Sequence, residues 1–189
     1  MLRSTRRELL TTLIAASPAL AIPAVPRPAG EFTFHLPDGS TKSLSHYRGS
    51  VVCLMFVYTT CPHCQHASQV MTQLFSQYGG RGFQPLAVAF NPDAATLVPD
   101  FVRTYGIGFP VGAEPQGVAL QYMGISLMER YVVPQILWID RKGQIRSQTP
   151  SLGDERLLEE SYWRSELETL LKEPATKNAR PSHGMSARR

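Results

Sequence analysis

The stretch that most restricts the fold is Val51-Val52-Cys53-Leu54-Met55-Phe56-Val57-Tyr58. An unbroken apolar run of strand length has no polar face to offer water. It must be covered on both sides, as strands of an α/β sheet are. Residues 62–78 follow with helical spacing: Val70, Leu74 and Tyr78 fall on one stripe, which Met71 and Phe75 widen. Gly79-Gly80 ends that helix. In the short turn between strand and helix lies Cys61-Pro62-His63-Cys64.

The rest of the chain agrees with such a layered fold. Residues 31–36 alternate and meet Pro37-Asp38-Gly39-Ser40, a turn by residue type, which predicts an N-terminal hairpin. Residues 85–90 read as a second buried strand, and Pro92-Asp93 can open a helix running to Tyr105 and stopping at Gly106. Residues 116–123 form a shorter helix. Residues 135–140 make a third apolar strand, turned by Arg141-Lys142-Gly143 into a partner at 144–148. Asp154 is placed to cap a last helix reaching Lys172, with Leu157, Leu158, Leu167, Leu170 and Leu171 on its apolar side. Alternating helices and buried strands, closed by a hairpin, predict an α/β sandwich with a mixed sheet. A right-handed crossover lays the first long helix against that sheet.

The ends differ from the body. The net charge of +4 over 189 residues comes from them. Arg3, Arg6 and Arg7 outweigh Glu8 at the start; Lys172, Lys177, Arg180, Arg188 and Arg189 outweigh Glu173 at the finish. What lies between is weakly acidic, which argues against a nucleic-acid-binding domain. Residues 1–21 combine a basic start, a modestly apolar stretch from Leu9 and a closing Ala19-Leu20-Ala21. They read as a removable export signal, too short to serve as a membrane anchor. Thr5-Arg6-Arg7-Glu8-Leu9-Leu10 resembles the twin-arginine motif; a general secretory signal is the alternative. Residues 22–30, with three prolines, read as an extended lead-in to a domain over 31–172. Residues 173–189 hold no large apolar side chain except Met185 and are expected to stay a disordered basic tail. The mature chain has no transmembrane segment on this reading and lies in the periplasm or is otherwise exported.

Cys61 falls at the helix N-terminus, where unpaired amides and the positive end of the helix dipole favour a thiolate over a thiol. The thiolate is the nucleophile. Pro62 suits the first helical turn because it has no N–H to leave unpaired. Cys64 comes three residues later, so the two thiols can close and reopen a small disulfide ring. His63 between them can add positive charge or a hydrogen bond. This pattern points to redox catalysis and calls for no cofactor and no resident metal. Two other readings remain. Cys61, Cys64 and His66 could bind copper(I), or the pair could be a structural disulfide in an oxidising compartment. Zinc would need a second cysteine pair, and covalent haem would need His where Gln65 stands. Cys53, in mid-strand among Val, Leu and Met, reads as a buried inert thiol.

Several segments resemble the exported TlpA/ResA-like (redoxin) branch of the thioredoxin superfamily. Tyr47-Arg48-Gly49-Ser50-Val51-Val52 resembles the family's entry to its first core strand, and Phe56-Val57-Tyr58-Thr59-Thr60-Cys61 its approach to the active cysteine. Phe109-Pro110-Val111 matches a short segment before the third helix. Val133-Pro134 followed by residues 135–143 resembles "V-P-x-x-x-x-I-D-x-x-G". The resemblance implies a thioredoxin-like three-layer sandwich with a central mixed sheet and an N-terminal hairpin extension. It makes Cys61 the attacking thiol, Cys64 the resolving thiol and Pro134 a cis-proline, preceded by Val133, that faces the pair. It also implies cysteine-containing protein substrates and a membrane or periplasmic redox partner.

The sequence departs from that family at Thr60, where Trp is usual, and at Ala67, where many ResA-like reductants carry Glu. The Pro-His dipeptide is the one found in DsbA-like oxidants, where it stabilises the reduced form. Peroxide reduction would need Thr three residues before the cysteine, and Tyr58 stands there. A copper-delivery protein would need a distant His near the proline loop, yet no His lies between His66 and His183.

Overall fold

The computed structural model describes residues 23–174. The expected export signal and most of the expected basic tail lie outside the described residues. Among the described residues, eight strands and four α-helices follow one another as β1 (Arg27–Pro28), β2 (Thr33–His35), β3 (Thr41–Ser43), β4 (Val51–Val57), α1 (Pro62–Tyr78), β5 (Phe83–Ala89), α2 (Ala94–Tyr105), β6 (Val111–Ala113), α3 (Gln116–Met123), β7 (Gln135–Ile139), β8 (Gln144–Gln148) and α4 (Glu160–Leu171). They build one mixed sheet in the order β1-β8-β7-β4-β5-β6-β2-β3. β4 and β5 are parallel, as are β5 and β6; every other pairing is antiparallel.

β4 lies at the centre and all seven of its residues are at most 3% exposed. Its side chains alternate between two cores. Val51, Cys53, Met55 and Val57 pack with α1, α2 and α4 through Val70, Met71, Leu74, Val98, Phe101, Trp163 and Leu167. Val52, Leu54 and Phe56 pack on the other face with Ala119, Leu120 and Met123 of α3 and with Phe32 and Phe34 of the hairpin. The three layers of a thioredoxin-like sandwich follow directly. Each buried Val, Leu or Phe contributes about 1.5–3 kcal/mol relative to exposure, so a one-residue slip of β4 would exchange the two cores at great cost.

The structure adds strands that residue patterning did not predict. Part of the lead-in is an edge strand, with Arg27 opposite Ile145 and Pro28 opposite Gln144. β6 is a three-residue strand whose Ala113 pairs with His35, joining the hairpin to the sheet. Gly112 is required there, because a Cβ would stand 2.3 Å from the His35 carbonyl oxygen. β5 starts at Phe83, two residues ahead of Pro85. A proline is tolerated in this central strand because the amide of Ala87, on the same side, bonds the Pro110 carbonyl at the start of β6. The missing N–H of Pro85 therefore faces the side on which β6 has not yet begun.

Asp154 caps something other than the last helix. Its carboxylate accepts from the Arg156 amide at 3.0 Å and caps a 3-10 turn over Glu155–Leu158. α4 begins only at Glu160, so Leu157 and Leu158 belong to that turn. Trp163, Leu167 and Leu170 make the buried side of α4.

Candidate active site

The registers of three strands bring the site together. Val57, the last residue of β4, is opposite Ala89, the last of β5, so Asn91 arrives beside the β4–α1 turn. β7 runs antiparallel with Gln135 opposite Phe56, so the loop before β7 meets the same turn from the other side. Cys61 is the N-cap of α1, with φ −86° and ψ 120°, and Pro62 follows as the first helical residue. The Cys61 amide donates to the Tyr58 carbonyl at 3.1 Å, and its own carbonyl accepts from the Gln65 amide at 3.0 Å. No side chain caps this end of α1.

The turn is braced further by side chains that patterning missed. Asn91 Oδ1 accepts from the Thr59 amide at 2.9 Å, and Gln65 Nε2 donates to the Thr59 carbonyl at 3.0 Å. Tyr58 meets Tyr131 hydroxyl to hydroxyl at 2.7 Å.

The facing loop carries a cis Val133–Pro134 peptide bond, as the resemblance implies. The Cys61 thiol donates to the Val133 carbonyl at 3.7 Å. Gln135, fully buried, holds that loop in shape: its Nε2 lies 2.9 Å from the Val132 carbonyl, 3.1 Å from that of Pro150 and 3.2 Å from that of Ser151. The one signal for it was a polar residue opening an apolar strand, since a buried amide must find partners.

The three thiols occupy three environments. Cys61 is half-buried, while Cys64 and Cys53 are fully buried. Burial raises the Cys64 pKa well above that of a free thiol. Neighbouring Cys61 acts in the same direction and the Tyr58 backbone against it. Burial alone raises Cys53. Burial also raises Tyr58, with the Tyr131 hydroxyl bond adding to it. Cys53, as expected, packs in the helix-side core.

His63 and His66 are both exposed. They line one side of a groove of ≈ 250 Å³ whose other walls are Val132, Val133, Pro134, Gly153, Asp154 and Glu155. Ala67 is buried, so the position where many ResA-like reductants carry Glu contributes a methyl group to the core. Among the described residues no three His, Cys, Asp or Glu side chains gather as a candidate metal site.

A thioredoxin-fold domain with a dithiol at the N-terminus of its first helix, facing a cis-proline loop, defines a thiol–disulfide oxidoreductase of the thioredoxin superfamily. The chain belongs to the AhpC/TSA family, whose sequence model matches residues 25–148. It is 28% identical over 123 residues to the thiol-disulfide oxidoreductase ResA of Geobacillus thermodenitrificans, covering 65% of this chain and 67% of that one. A crystal structure of a Chlorobium tepidum protein, described as a candidate thiol:disulfide interchange protein DsbE, superposes with a TM-score of 0.65 and 25% identity. That match covers 77% of this chain and 96% of the other. A second structure from Chlorobium tepidum TLS, a thiol:disulfide interchange protein of the thioredoxin family, shares the fold with a TM-score of 0.64 at 22% identity over 79% of this chain and 99% of its own.

The difference in burial predicts selective alkylation. In the native reduced protein, Cys61 is expected to react with iodoacetamide at least tenfold faster than Cys64 or Cys53, because access and thiolate character both control the rate. Peptide mass mapping after a short pulse checks this. Equal labelling of Cys61 and Cys64 would contradict the difference.

Proposed function

We propose that the protein is an exported thiol–disulfide oxidoreductase that exchanges disulfides with protein substrates through Cys61 and Cys64. The observation that carries this reading is the accessible Cys61 thiol at the N-terminus of α1, with Cys64 buried behind it and the Val133 carbonyl in front. In the reducing direction the Cys61 thiolate attacks a substrate disulfide. One sulfur–sulfur bond forms between Cys61 and the substrate, and the second substrate sulfur leaves as a thiolate and takes up a proton. Cys64 then gives up its proton to water and attacks Cys61, and the substrate's remaining sulfur leaves as a thiolate that takes up a proton in turn. The mixed disulfide breaks, the Cys61–Cys64 disulfide forms, and the substrate leaves fully reduced. Two electrons have passed from protein to substrate. The oxidising direction is the same sequence reversed.

Pro62 starts the helix that carries the nucleophile, and Val133 and Pro134 face the incoming sulfur. Burial of Cys64 favours its protonated form, so it waits as a thiol until the mixed disulfide is in place. Trapping tests these roles. Cys64→Ser is expected to accumulate a Cys61–substrate mixed disulfide visible on non-reducing gels, and Cys61→Ser to accumulate none. Equal trapping by the two variants would reverse the reading.

Export belongs to the same proposal. Residues 1–21 act as the signal; Glu173, at the start of the expected basic tail, is held by Arg146. Among the described residues no helix is long and apolar enough to cross a membrane. N-terminal sequencing of protein recovered beyond the cytoplasmic membrane is expected to begin near Ile22. Recovery of full-length chain from the cytoplasm alone would refute export.

His63 gives the dithiol an oxidising poise. A positive or hydrogen-bonding group beside the pair stabilises the reduced form, and a stabilised reduced form means a higher potential. For a two-electron couple ~30 mV corresponds to ~1.4 kcal/mol. A hydrogen bond to a charged group is worth about 1.5–3 kcal/mol when buried, and exposure of His63 puts it at or below the lower end. His63→Pro is therefore expected to lower the potential by about 10–30 mV in equilibrium with glutathione. An unchanged potential would leave the poise to the helix terminus and the proline loop.

A further inference from the structure

We propose that Tyr58 and Tyr131, clamped by Gln116, are positioning residues that fix the Val133 carbonyl against the Cys61 thiol. The inference rests on the reading of Cys61 and Cys64 as the redox pair and adds residues outside the cysteine motif and the proline loop.

The contacts form a closed circuit. The Cys61 amide donates to the Tyr58 carbonyl at 3.1 Å. The Tyr58 hydroxyl meets the Tyr131 hydroxyl at 2.7 Å. Tyr131 lies two residues before Val133, and the Val133 carbonyl accepts from the Cys61 thiol at 3.7 Å, which returns the circuit to its start. Gln116, at the first position of α3, donates from Nε2 to the Tyr131 hydroxyl at 2.6 Å and ties the circuit to a third element. Both rings also pack on Phe90, with centroids 4.8 Å away for Tyr58 and 5.9 Å for Tyr131. The hydroxyl pair thus joins the two segments that present sulfur and carbonyl to each other. Burial and the Tyr131 hydroxyl hold Tyr58 in its protonated form, so the bond persists across the working pH range. Tyr58 occupies the position three residues before the first cysteine, and there it serves geometry, not peroxide chemistry.

The sign of the effect follows from the chemistry of the contact. A thiol can donate to the Val133 carbonyl and a disulfide cannot. The contact therefore stabilises the dithiol relative to the disulfide, and a loosened loop weakens that preference.

Removing one hydroxyl while keeping the ring isolates the effect. In glutathione buffers, Tyr58→Phe and Tyr131→Phe are each expected to shift the dithiol–disulfide equilibrium toward the disulfide by about two- to fivefold, the range of one weak hydrogen bond. The double variant is expected to shift no further than Tyr131→Phe alone, which already removes both the Tyr58 and the Gln116 bond. A purely structural role would lower thermal stability and leave the redox equilibrium in place. Gln116→Ala, which leaves both rings intact, is expected to give a shift of the same sign and provides the measurement should a tyrosine variant fail to fold. An unchanged equilibrium, a shift toward the dithiol, or single effects that multiply in the double variant would overturn the proposal. A wild-type chain that never forms the Cys61–Cys64 disulfide would instead overturn the redox reading, and this inference with it.

Discussion

Complete burial of β4 is the constraint on which the rest depends. A strand with no exposed residue has both faces committed, so helices must cover the sheet on two sides and the strand cannot slide. Its C-terminal end is thereby fixed, and everything placed beyond that end inherits the precision. Cys61 comes four residues after Val57 and has little freedom left. Parallel pairing with β5 delivers Asn91 to the Thr59 amide, and antiparallel pairing with β7 delivers Val133 to the Cys61 thiol. The site is the point where three strand ends coincide, so its geometry is a consequence of register and not of the loops alone.

The legible parts of the chain were those where one physical reason dominates. An unbroken apolar run identified β4, a stripe of period 3.6 identified α1, and helix-terminus chemistry placed Cys61 at the N-cap. Cys53 read correctly because a thiol flanked by branched and long apolar residues has nowhere to go but the core. Val133-Pro134 was placed opposite the pair by resemblance; nothing in its spacing alone could have put it there.

The parts that escaped depend on partners distant in sequence. β1 and β6 are two and three residues long, too short for any period to show, and exist because β8 and β5 offer open hydrogen-bonding edges. Asp154 has the right residue type for a helix cap, but the chain satisfies it one turn early, leaving α4 to start at Glu160. Gln135 escaped because three carbonyls from two separate segments give it its purpose. Tyr58 and Tyr131 escaped for the same reason. They stand 73 residues apart in sequence, and an isolated tyrosine at the end of a strand carries no mark of a hydroxyl partner.

The chemistry of the dithiol follows from an asymmetry between two cysteines less than one helical turn apart. Cys61 stands half-exposed at the uncapped end of α1, and as a thiol it donates to the Val133 carbonyl. That donor is lost when the disulfide closes. Cys64 contributes differently. Burial penalises its thiolate but not its neutral thiol, so the reduced protein loses little by keeping Cys64 protonated. The fold therefore divides the pair into one thiol open to the surface and one closed off from it, and this division, set by the helix terminus and the facing Val133 carbonyl, is what the register of the three strands delivers.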